Sequence, residues 1–244
     1  MIKFFRHIRK NLINEGKTSK YLKYAIGEII LVVIGILIAL QINNWNEKRI
    51  NSNKEKAILA DIHKEFVNNQ KQLDSVVNGH QNVFKNCRKI IQMFPIKSKP
   101  EQPALDSLSH YLFWSYGGVT FNPSQSSIDA LTSTSSFNII SNEQLRNRLI
   151  SWKDLVKDYQ EEEQASRDYV LNQYDPYFSK HFDWNFNFND PRNNFDVLQT
   201  LEFEFKVRGR YDLVDQILNT SGELQKLKES LEEIIMLTKP KDND

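Results

Sequence analysis

Several residue types are scarce in this chain, and each scarcity narrows the range of structures. The 244 residues include one cysteine, Cys87, so an intramolecular disulfide and a thiolate-rich metal site are both excluded. Eight glycines and seven prolines are few for this length, and their scarcity favours long helices over turn-rich β structure. Basic and acidic residues nearly cancel, at 32 and 31, so the overall charge predicts no nucleic-acid partner.

The apolar residues are numerous enough for a folded core but are unevenly distributed. They make up 40% of the chain, and aromatic residues make up 11%. Mean hydropathy is nevertheless −0.55, which is typical of a mainly soluble chain. Any membrane character must therefore be concentrated in one segment.

That segment is residues 24–42, which read YAIGEIILVVIGILIALQI and include Glu28 as their only charged residue. A helix needs about 20 apolar residues to cross the bilayer core, and here the apolar residues lie on every side of the helix. The run is longer than that of a signal peptide, and no small-residue cleavage site follows it. We therefore predict a transmembrane helix that is kept as an uncleaved signal anchor.

The flanking charges predict the orientation of this helix. Before it lie Lys3, Arg6, Arg9, Lys10, Lys17, Lys20 and Lys23, with Glu15 as the only acid. Because positive flanks stay inside, we expect a single-pass protein of the inner (cytoplasmic) membrane with a cytoplasmic N-terminus and a periplasmic C-terminal domain. The predicted parts are a basic amphipathic segment at 1–23, the transmembrane helix at 24–42 and an exported helical bundle at 43–244. The first 13 residues have two open interpretations, a helix on the inner leaflet or a positive tail that only sets topology.

Three residues of the span are candidates for helix association. Gly35 and Ala39 form a small-xxx-small pair, which lets two helices approach closely, although such pairs also occur on lipid-facing surfaces. Glu28 lies about one turn inside the cytoplasmic boundary, where a charge is costly. The Glu28 side chain either forms a hydrogen bond with a partner helix or extends back towards the headgroups and nearby lysines.

The block YAIGEIILVVIGILIALQINNWNE, preceded by FFRHIRKNLINEGKTSKYLK, resembles an uncharacterised domain-of-unknown-function family of bacterial single-pass inner-membrane proteins. Residues 127–150, SIDALTSTSSFNIISNEQLRNRLI, are similar to a second block of that family. The sequence departs from that block at Ser135 and Ser136, where a Gly is common. The resemblance implies a membrane anchor with an exported helical domain in Gram-negative cells, and it implies no activity, substrate or functional residue.

Two stretches of the exported part carry apolar residues at alternating spacings of four and three, which is typical of coiled-coil-like seams. The first seam comprises Ile62, Phe66, Asn69, Leu73, Val76, His80, Val83, Cys87, Ile90 and Phe94. The second comprises Leu213, Ile217, Thr220, Leu224, Leu227, Leu231, Ile234 and Thr238. A seam must bury itself against another, so we predict an all-α fold in which these helices pack antiparallel. Between them, Ser141 and Gln144 predict a capping box that starts a further helix.

The most unusual stretch is residues 174–195, YDPYFSKHFDWNFNFNDPRNNF, in which eight aromatic residues are interspersed with Asn and Asp. Its candidate binding residues are Tyr177, Phe182, Trp184 and Phe186, which would stack on a sugar or peptide. The same composition suits a compact loop that caps one end of a bundle, and this second interpretation is favoured.

No residue pattern in the chain is typical of catalysis. The five histidines lack zinc-protease spacing, and the serine-rich run at 124–136 has no base at motif spacing. His80 and Cys87 lie on the first seam, where a buried side chain is the favoured interpretation for both. We therefore predict no catalytic residues, no metal site and no cofactor.

Two functions remain open, and neither is enzymatic. The first is a scaffold or accessory interaction subunit of the envelope, whose partners are the lipid bilayer and either another envelope protein or a second copy of the chain. The alternative is a periplasmic ligand-sensing domain that signals through a partner membrane protein. A cavity lined by convergent polar groups would favour the sensor, whereas a packed interior with an exposed apolar patch would favour the scaffold.

Overall fold

A computed structural model describes residues 18–240, and within this range the regular elements are helices without any strand. The α-helices are α1 (Thr18–Ile91), α2 (Ala104–Ser115), α3 (Ser126–Ser133), α4 (Glu143–Tyr169), α5 (Asp175–Phe178), α6 (Leu201–Asp215) and α7 (Glu223–Thr238). Short 3-10 helices span Ser136–Ile139 and Phe195–Gln199, and π-helical turns span Val170–Tyr174 and Gln216–Thr220. The predicted all-α class is confirmed. The predicted amphipathic character of the first 13 residues lies outside the described range.

The chain divides into two compact units, Met1–Lys56 and Ala57–Asp244, and α1 contributes residues to both. The first unit carries the apolar run of α1, where an 18-residue window has a mean hydropathy of 2.6 and is entirely unburied. This helix is long enough and apolar enough to cross a membrane. Beyond the run, the guanidinium of Arg49 lies 5.6 Å from the centre of the Trp45 ring, so polar contacts replace the apolar surface there.

In the second unit, the last part of α1 packs antiparallel to α6 and α7. Nδ1 of His63 lies 3.2 Å from both the carbonyl oxygen of Ile235 and Oγ1 of Thr238. Further along α1, the ring of Phe84 stacks on that of Tyr211 at a centroid distance of 4.5 Å. Residue numbers therefore rise along one helix as they fall along the other, and the predicted antiparallel pairing is confirmed.

Helix α4 runs parallel to this part of α1. The rings of Phe66 and Trp152 are 4.8 Å apart, and Nε2 of His80 lies 3.0 Å from Oε1 of Glu163. Two neighbouring helices that run in the same direction need a long connection between them. Residues 92–142, which contain α2 and α3, make that connection.

The first predicted seam is buried over its whole helical length. Nine of its positions, from Ile62 to Ile90, are each less than 9% exposed. Phe94 is half-buried and lies just beyond the end of α1. The polar seam residue Asn69 is satisfied, because its side chain both donates to and accepts from the backbone of Ser124 at 2.8 and 2.9 Å. The continuous 4-3 spacing therefore predicted the buried face of α1 correctly.

The second predicted seam is correct in α7 and at Ile217 but wrong at Leu213 and Thr220. Leu224, Leu227, Leu231, Ile234 and Thr238 are buried, whereas Thr220 is exposed and Leu213 is only half-buried. The π-helical turn Gln216–Thr220 inserts an extra residue per turn, so the regular spacing does not continue through it. Upstream of that turn, the buried positions of α6 are Phe203, Val207, Arg210 and Val214.

Helix α4 begins one residue later than the predicted capping box requires. Its N-cap is Asn142, whose side chain accepts a hydrogen bond of 3.0 Å from the backbone N–H of Leu145. The predicted inward face is confirmed, since Leu145, Leu149, Trp152, Val156 and Tyr159 are all buried. The side chain of an N-cap Asn accepts a hydrogen bond from a free backbone N–H of the first turn, as the predicted serine would.

The turn between α3 and α4 contains Ser135 in the left-handed region, at φ 52°. This conformation is costly for a residue with a Cβ and natural for glycine. A glycine at this position would adopt the same conformation without that cost. Ser135 is itself exposed, so its side chain can be placed without displacing the core.

Candidate functional site

The aromatic loop, residues 174–195, forms one wall of a pocket. Phe182 and Phe186 are buried, whereas Trp184 is 73% exposed. All three line an open pocket of about 550 Å³ in the second unit. Tyr177 is buried but does not line this pocket, and its hydroxyl donates to the carbonyl oxygen of Val197 at 3.0 Å. The structure therefore brings three of the four predicted loop residues together around one cavity.

This aromatic pocket is formed by the end of α2, the π-helical turn after α4, and the loop. The residues that line it are Phe113, Trp114, Tyr116, Gly117, Val170, Leu171, Asp175, Phe178, Ser179, Phe182, Asp183, Trp184 and Phe186. Its volume lies within the range of small-molecule sites, about 300–1,000 Å³. Exposed rings at its rim offer flat surfaces for stacking.

Hydrogen bonds within the loop fix the positions of its rings. The backbone N–H of Asp183 donates to Oδ1 of Asn193 at 2.6 Å, and the N–H of Asn187 donates to Oδ1 of Asp183 at 2.8 Å. Burial opposes ionisation of Asp183, but hydrogen bonds from Asn193, Asn187 and Asn185 outweigh it and lower its pKa. The ionised carboxylate is thus the loop's internal anchor.

A second cavity of about 680 Å³ adjoins the aromatic pocket and is lined mainly by polar groups. Its lining consists of His80, Tyr116, Gly118, Val119, Thr120, Asn122, Gln160, Glu163, Gln164, Ser166, Arg167, Val170, Leu171 and Arg210. Tyr116, Val170 and Leu171 belong to both linings. The two cavities are therefore neighbours, and together they are called the cleft, with an apolar part and a polar part.

His80 and Glu163 form a buried pair in the wall of the polar cavity. Their side chains are 3% and 1% exposed, and Nε2 of His80 lies 3.0 Å from Oε1 of Glu163. The other carboxylate oxygen accepts the backbone N–H of Phe121 at 2.9 Å. Nδ1 of His80 has no hydrogen-bond partner among the described residues. The predicted burial of this histidine is confirmed, but only one of its ring nitrogens is satisfied.

Arg210 is the other buried polar residue of the cavity wall, and its side chain holds three segments together. Its Nε donates to the carbonyl oxygen of Ser115 at 3.2 Å, and Nη2 donates to that of Gly117 at 2.5 Å. Nη1 donates to both the carbonyl oxygen and Oγ of Ser166, at 3.2 and 2.5 Å. Burial lowers the pKa of Arg210, since the charged form loses hydration.

Arg210 is not among the residues predicted from the sequence, although a signal for its burial is present. Phe203, Val207 and Val214 are spaced so that position 210 completes the same 4-3-4 pattern, which places it on the buried face of α6. An arginine is seldom buried, so composition alone suggests a solvated residue there. The burial of Arg210 is therefore unusual, and it identifies this residue as a candidate member of the site.

A π-helical turn lies where the two cavities meet. The backbone N–H of Asp175 donates to the carbonyl oxygen of Val170, five residues earlier, and Pro176 follows with no N–H to donate. A proline ring clashes with the carbonyl four residues before it in a regular α-helix, and the wider turn avoids this clash. Tyr174, in the same turn, is buried and its hydroxyl lies 2.8 Å from Oγ of Ser115. Such turns are frequent at functional sites.

The predicted membrane-association residues belong to the first unit and take no part in the cleft. Gly35 and Ala39 are exposed on α1, and a Cβ added at Gly35 would meet nothing within 4 Å. Glu28 is half-buried on the same helix. The surface at Gly35 is therefore open to close approach by another helix.

The folded structure suppresses the reactivity of the Cys87 thiol and brings together no metal-binding group among the described residues. Burial raises the pKa of the Cys87 thiol to about 12, and the nearby charge of Arg210 only partly opposes this shift. Within residues 18–240, no group of three or more His, Cys, Asp or Glu residues is placed to hold a metal ion. The cleft offers hydrogen bonding, stacking and positive charge for a ligand.

The fold and the cleft together define an all-α protein with an N-terminal apolar helix and a two-part cavity in its second unit. Residues 28–173 match a family described as Family of unknown function (DUF6090). These 146 of 244 residues exceed half of the chain, which therefore belongs to this family. No curated protein and no solved structure gives a significant match. The matched region includes His80 and Glu163, whereas Arg210 and the aromatic loop lie beyond it.

Proposed function

We propose that this chain is a non-enzymatic, single-pass inner-membrane protein whose periplasmic unit binds a small ligand and signals through a partner membrane protein. The membrane assignment is supported by the unburied apolar window in α1. The orientation is supported by the basic residues before that window, such as Lys17 and Lys23. Glu28, Gly35 and Ala39 are the residues through which the helix would contact its partner.

The observation that carries the ligand-binding proposal is the two-part cleft. Ligand sites are concave, mainly apolar, and carry a few convergent polar groups. The aromatic pocket supplies the apolar surface, while His80, Glu163 and Arg210 supply the polar groups. A cavity of this kind was the feature expected to favour the sensor over the scaffold.

A neutral aromatic probe tests this proposal directly. Trp114 and Trp184 line the aromatic pocket, so binding of 4-phenylbutanol should change tryptophan fluorescence of the full chain in lipid nanodiscs. Ser179→Phe places a ring in the pocket from an exposed position and should abolish the change. Ser133→Phe, at an exposed position on α3, is the matched control.

The outcome is judged against empty nanodiscs and against the control. Saturable binding that Ser179→Phe removes and Ser133→Phe retains would support a ligand site in the pocket. A response equal to that of empty nanodiscs would contradict it, as would equal binding by the two variants.

Self-association as a scaffold is the second candidate, and an exposed apolar pair on α6 favours it. Leu201 and Phe205 are 83% and 76% exposed and lie one turn apart on the helix. Together with Gly35, they are surfaces on which a second copy could pack.

Crosslinking of membranes that contain the full chain tests this candidate. Gly35→Leu and the pair Leu201→Ser and Phe205→Ser should each reduce the crosslinked dimer, while Ile150→Ser, another exposed apolar residue, should not. Recovery of the monomer alone, unchanged by these substitutions, would count against a homo-oligomeric scaffold.

A further inference from the structure

The charged residues of the polar cavity are unbalanced in favour of positive charge. Arg210 is 1% exposed, and all its hydrogen bonds go to uncharged oxygens of Ser115, Ser166 and Gly117. Ion pairs recorded among residues 18–240 include none to Arg210. Buried charges in proteins are normally paired, because an uncompensated ion loses its hydration without recovering it.

The carboxylate of Glu163 does not fill this role. One of its oxygens faces Nε2 of His80 at 3.0 Å, and the other accepts the backbone N–H of Phe121 at 2.9 Å. Both oxygens are therefore turned to partners other than Arg210. Glu163, on α4, therefore links that helix to α1 and to the segment at Phe121.

One further group in the wall is suited to an anion. Arg167, one residue after Ser166 on α4, is exposed and lines the same cavity. A guanidinium at the mouth and a second guanidinium in the wall therefore border one polar space.

We infer that the ligand is amphipathic and carries a carboxylate group, which binds in the polar cavity beside Arg210 and Arg167 while its apolar body lies in the aromatic pocket. This inference rests on the proposed ligand-binding function. Tyr116, Val170 and Leu171 line both cavities, so the two ends of the inferred ligand would lie on either side of these residues. The N–H donors of Arg167 can match the two oxygens of a carboxylate. Arg210, whose N–H groups are mostly taken by Ser115, Ser166 and Gly117, contributes chiefly its positive charge.

The aromatic pocket itself would orient such a ligand in one direction. Its lining contains two acids, Asp175 and Asp183, and no basic residue. A carboxylate placed there would face like charges, whereas in the polar cavity it meets arginines. An amine would prefer the opposite orientation, so the sign of the ligand's charge is a direct test.

Three probes that share one aromatic body distinguish these cases: 4-phenylbutyrate, 4-phenylbutanol and 4-phenylbutylamine. They are titrated against the wild-type full chain in nanodiscs of zwitterionic lipid, with empty nanodiscs as the blank. We expect the carboxylate to bind about tenfold more tightly than the alcohol, because a hydrogen bond to a charged group is stronger than one to a neutral group. Equal binding of acid and alcohol, or tighter binding of the amine, would overturn the inference and leave the proposed function standing. Failure of all three to bind would contradict both.

Arginine variants locate the charge that is recognised. Arg167→Gln alters an exposed residue and should weaken 4-phenylbutyrate binding about threefold, as expected for a partly solvated contact, without affecting 4-phenylbutanol. Arg88→Gln, at an exposed arginine outside the cleft, should change neither. Arg210→Gln removes the buried positive charge, so the preference for the acid should fall while thermal unfolding reports whether the fold survives. If both cleft variants keep the wild-type preference for the acid, the carboxylate does not bind at these arginines.

Discussion

Gly222 shows how one backbone conformation fixes the start of α7. It follows the π-helical turn and adopts φ +81°, while a Cβ added there would meet nothing within 4 Å. Any cost of a substitution at this position therefore comes from the left-handed backbone and not from a clash.

We expect Gly222→Ala to lower the free energy of unfolding by about 1–2 kcal/mol, the usual cost of the left-handed region for a residue with a Cβ. Gly118→Ala is the matched control, since an added Cβ there also meets nothing and its φ is ordinary. Urea unfolding of the two variants measures the difference. Equal stabilities would show that α7 does not depend on the conformation of Gly222.

Cys87 gives a second prediction at the residue scale. The thiolate is the reactive form of cysteine, and burial raises the pKa of Cys87 to about 12, so little thiolate exists at neutral pH. We expect the folded chain to resist a maleimide reagent at pH 7 and to react fully in denaturant. Mass spectrometry before and after denaturation measures this, and rapid labelling of the folded chain would contradict the buried position of Cys87 on the seam.

At the scale of the elements, the sequence predicted what depends on spacing along a single helix. The 4-3 pattern from Ile62 to Ile90 identified the buried face of α1, because an unbroken helix keeps its register. The pattern failed at Leu213 and Thr220, where the π-helical turn changes the register. The change in hydrogen-bond spacing at this turn alters which residues are buried. The apolar spacing in the sequence before the turn does not reveal that change.

The cleft was less predictable than the helices. The aromatic loop was recognised as a candidate because Phe182, Trp184 and Phe186 are close in sequence. The polar cavity was not, since His80, Glu163 and Arg210 come from three different helices and converge only after packing. Charged residues that are far apart in sequence look like solvated surface until their neighbours are known.

The π-helical turn Val170–Tyr174 provides the prediction at this scale. If Pro176 enforces the turn, Pro176→Ala permits regular α-helical hydrogen bonding and shifts Val170 and Leu171, which line both parts of the cleft. We expect affinity for 4-phenylbutanol to fall about tenfold, which corresponds to about 1.4 kcal/mol.

A matched variant separates this local effect from the general effect of removing a proline. Pro100→Ala changes a proline in the connection between α1 and α2, and it should leave the affinity unchanged. Thermal unfolding of both variants should show a loss of less than about 1 kcal/mol, due to the more flexible unfolded chain. Unchanged affinity in Pro176→Ala would mean that packing around Tyr174, rather than the proline, maintains the turn.

At the scale of the whole molecule, the proposals depend on where the second unit lies relative to the membrane. A periplasmic cleft meets ligands from outside the cell, whereas a cytoplasmic cleft would meet metabolites. The unequal basic flanks of the apolar run favour the first arrangement. Substitutions on either side of the apolar run can test this orientation.

Two introduced cysteines test this orientation in spheroplasts of a bacterial host. Ser52→Cys follows the apolar run at an exposed position of α1, and Asn14→Cys precedes the run in the sequence. We expect a membrane-impermeant maleimide to label Ser52→Cys in intact spheroplasts and Asn14→Cys only after permeabilisation, because translocating the basic N-terminal flank is unfavourable. The parent chain is the control, since buried Cys87 should remain unlabelled in both conditions. Labelling of Asn14→Cys before permeabilisation, with Ser52→Cys protected, would reverse the orientation and place the cleft inside the cell.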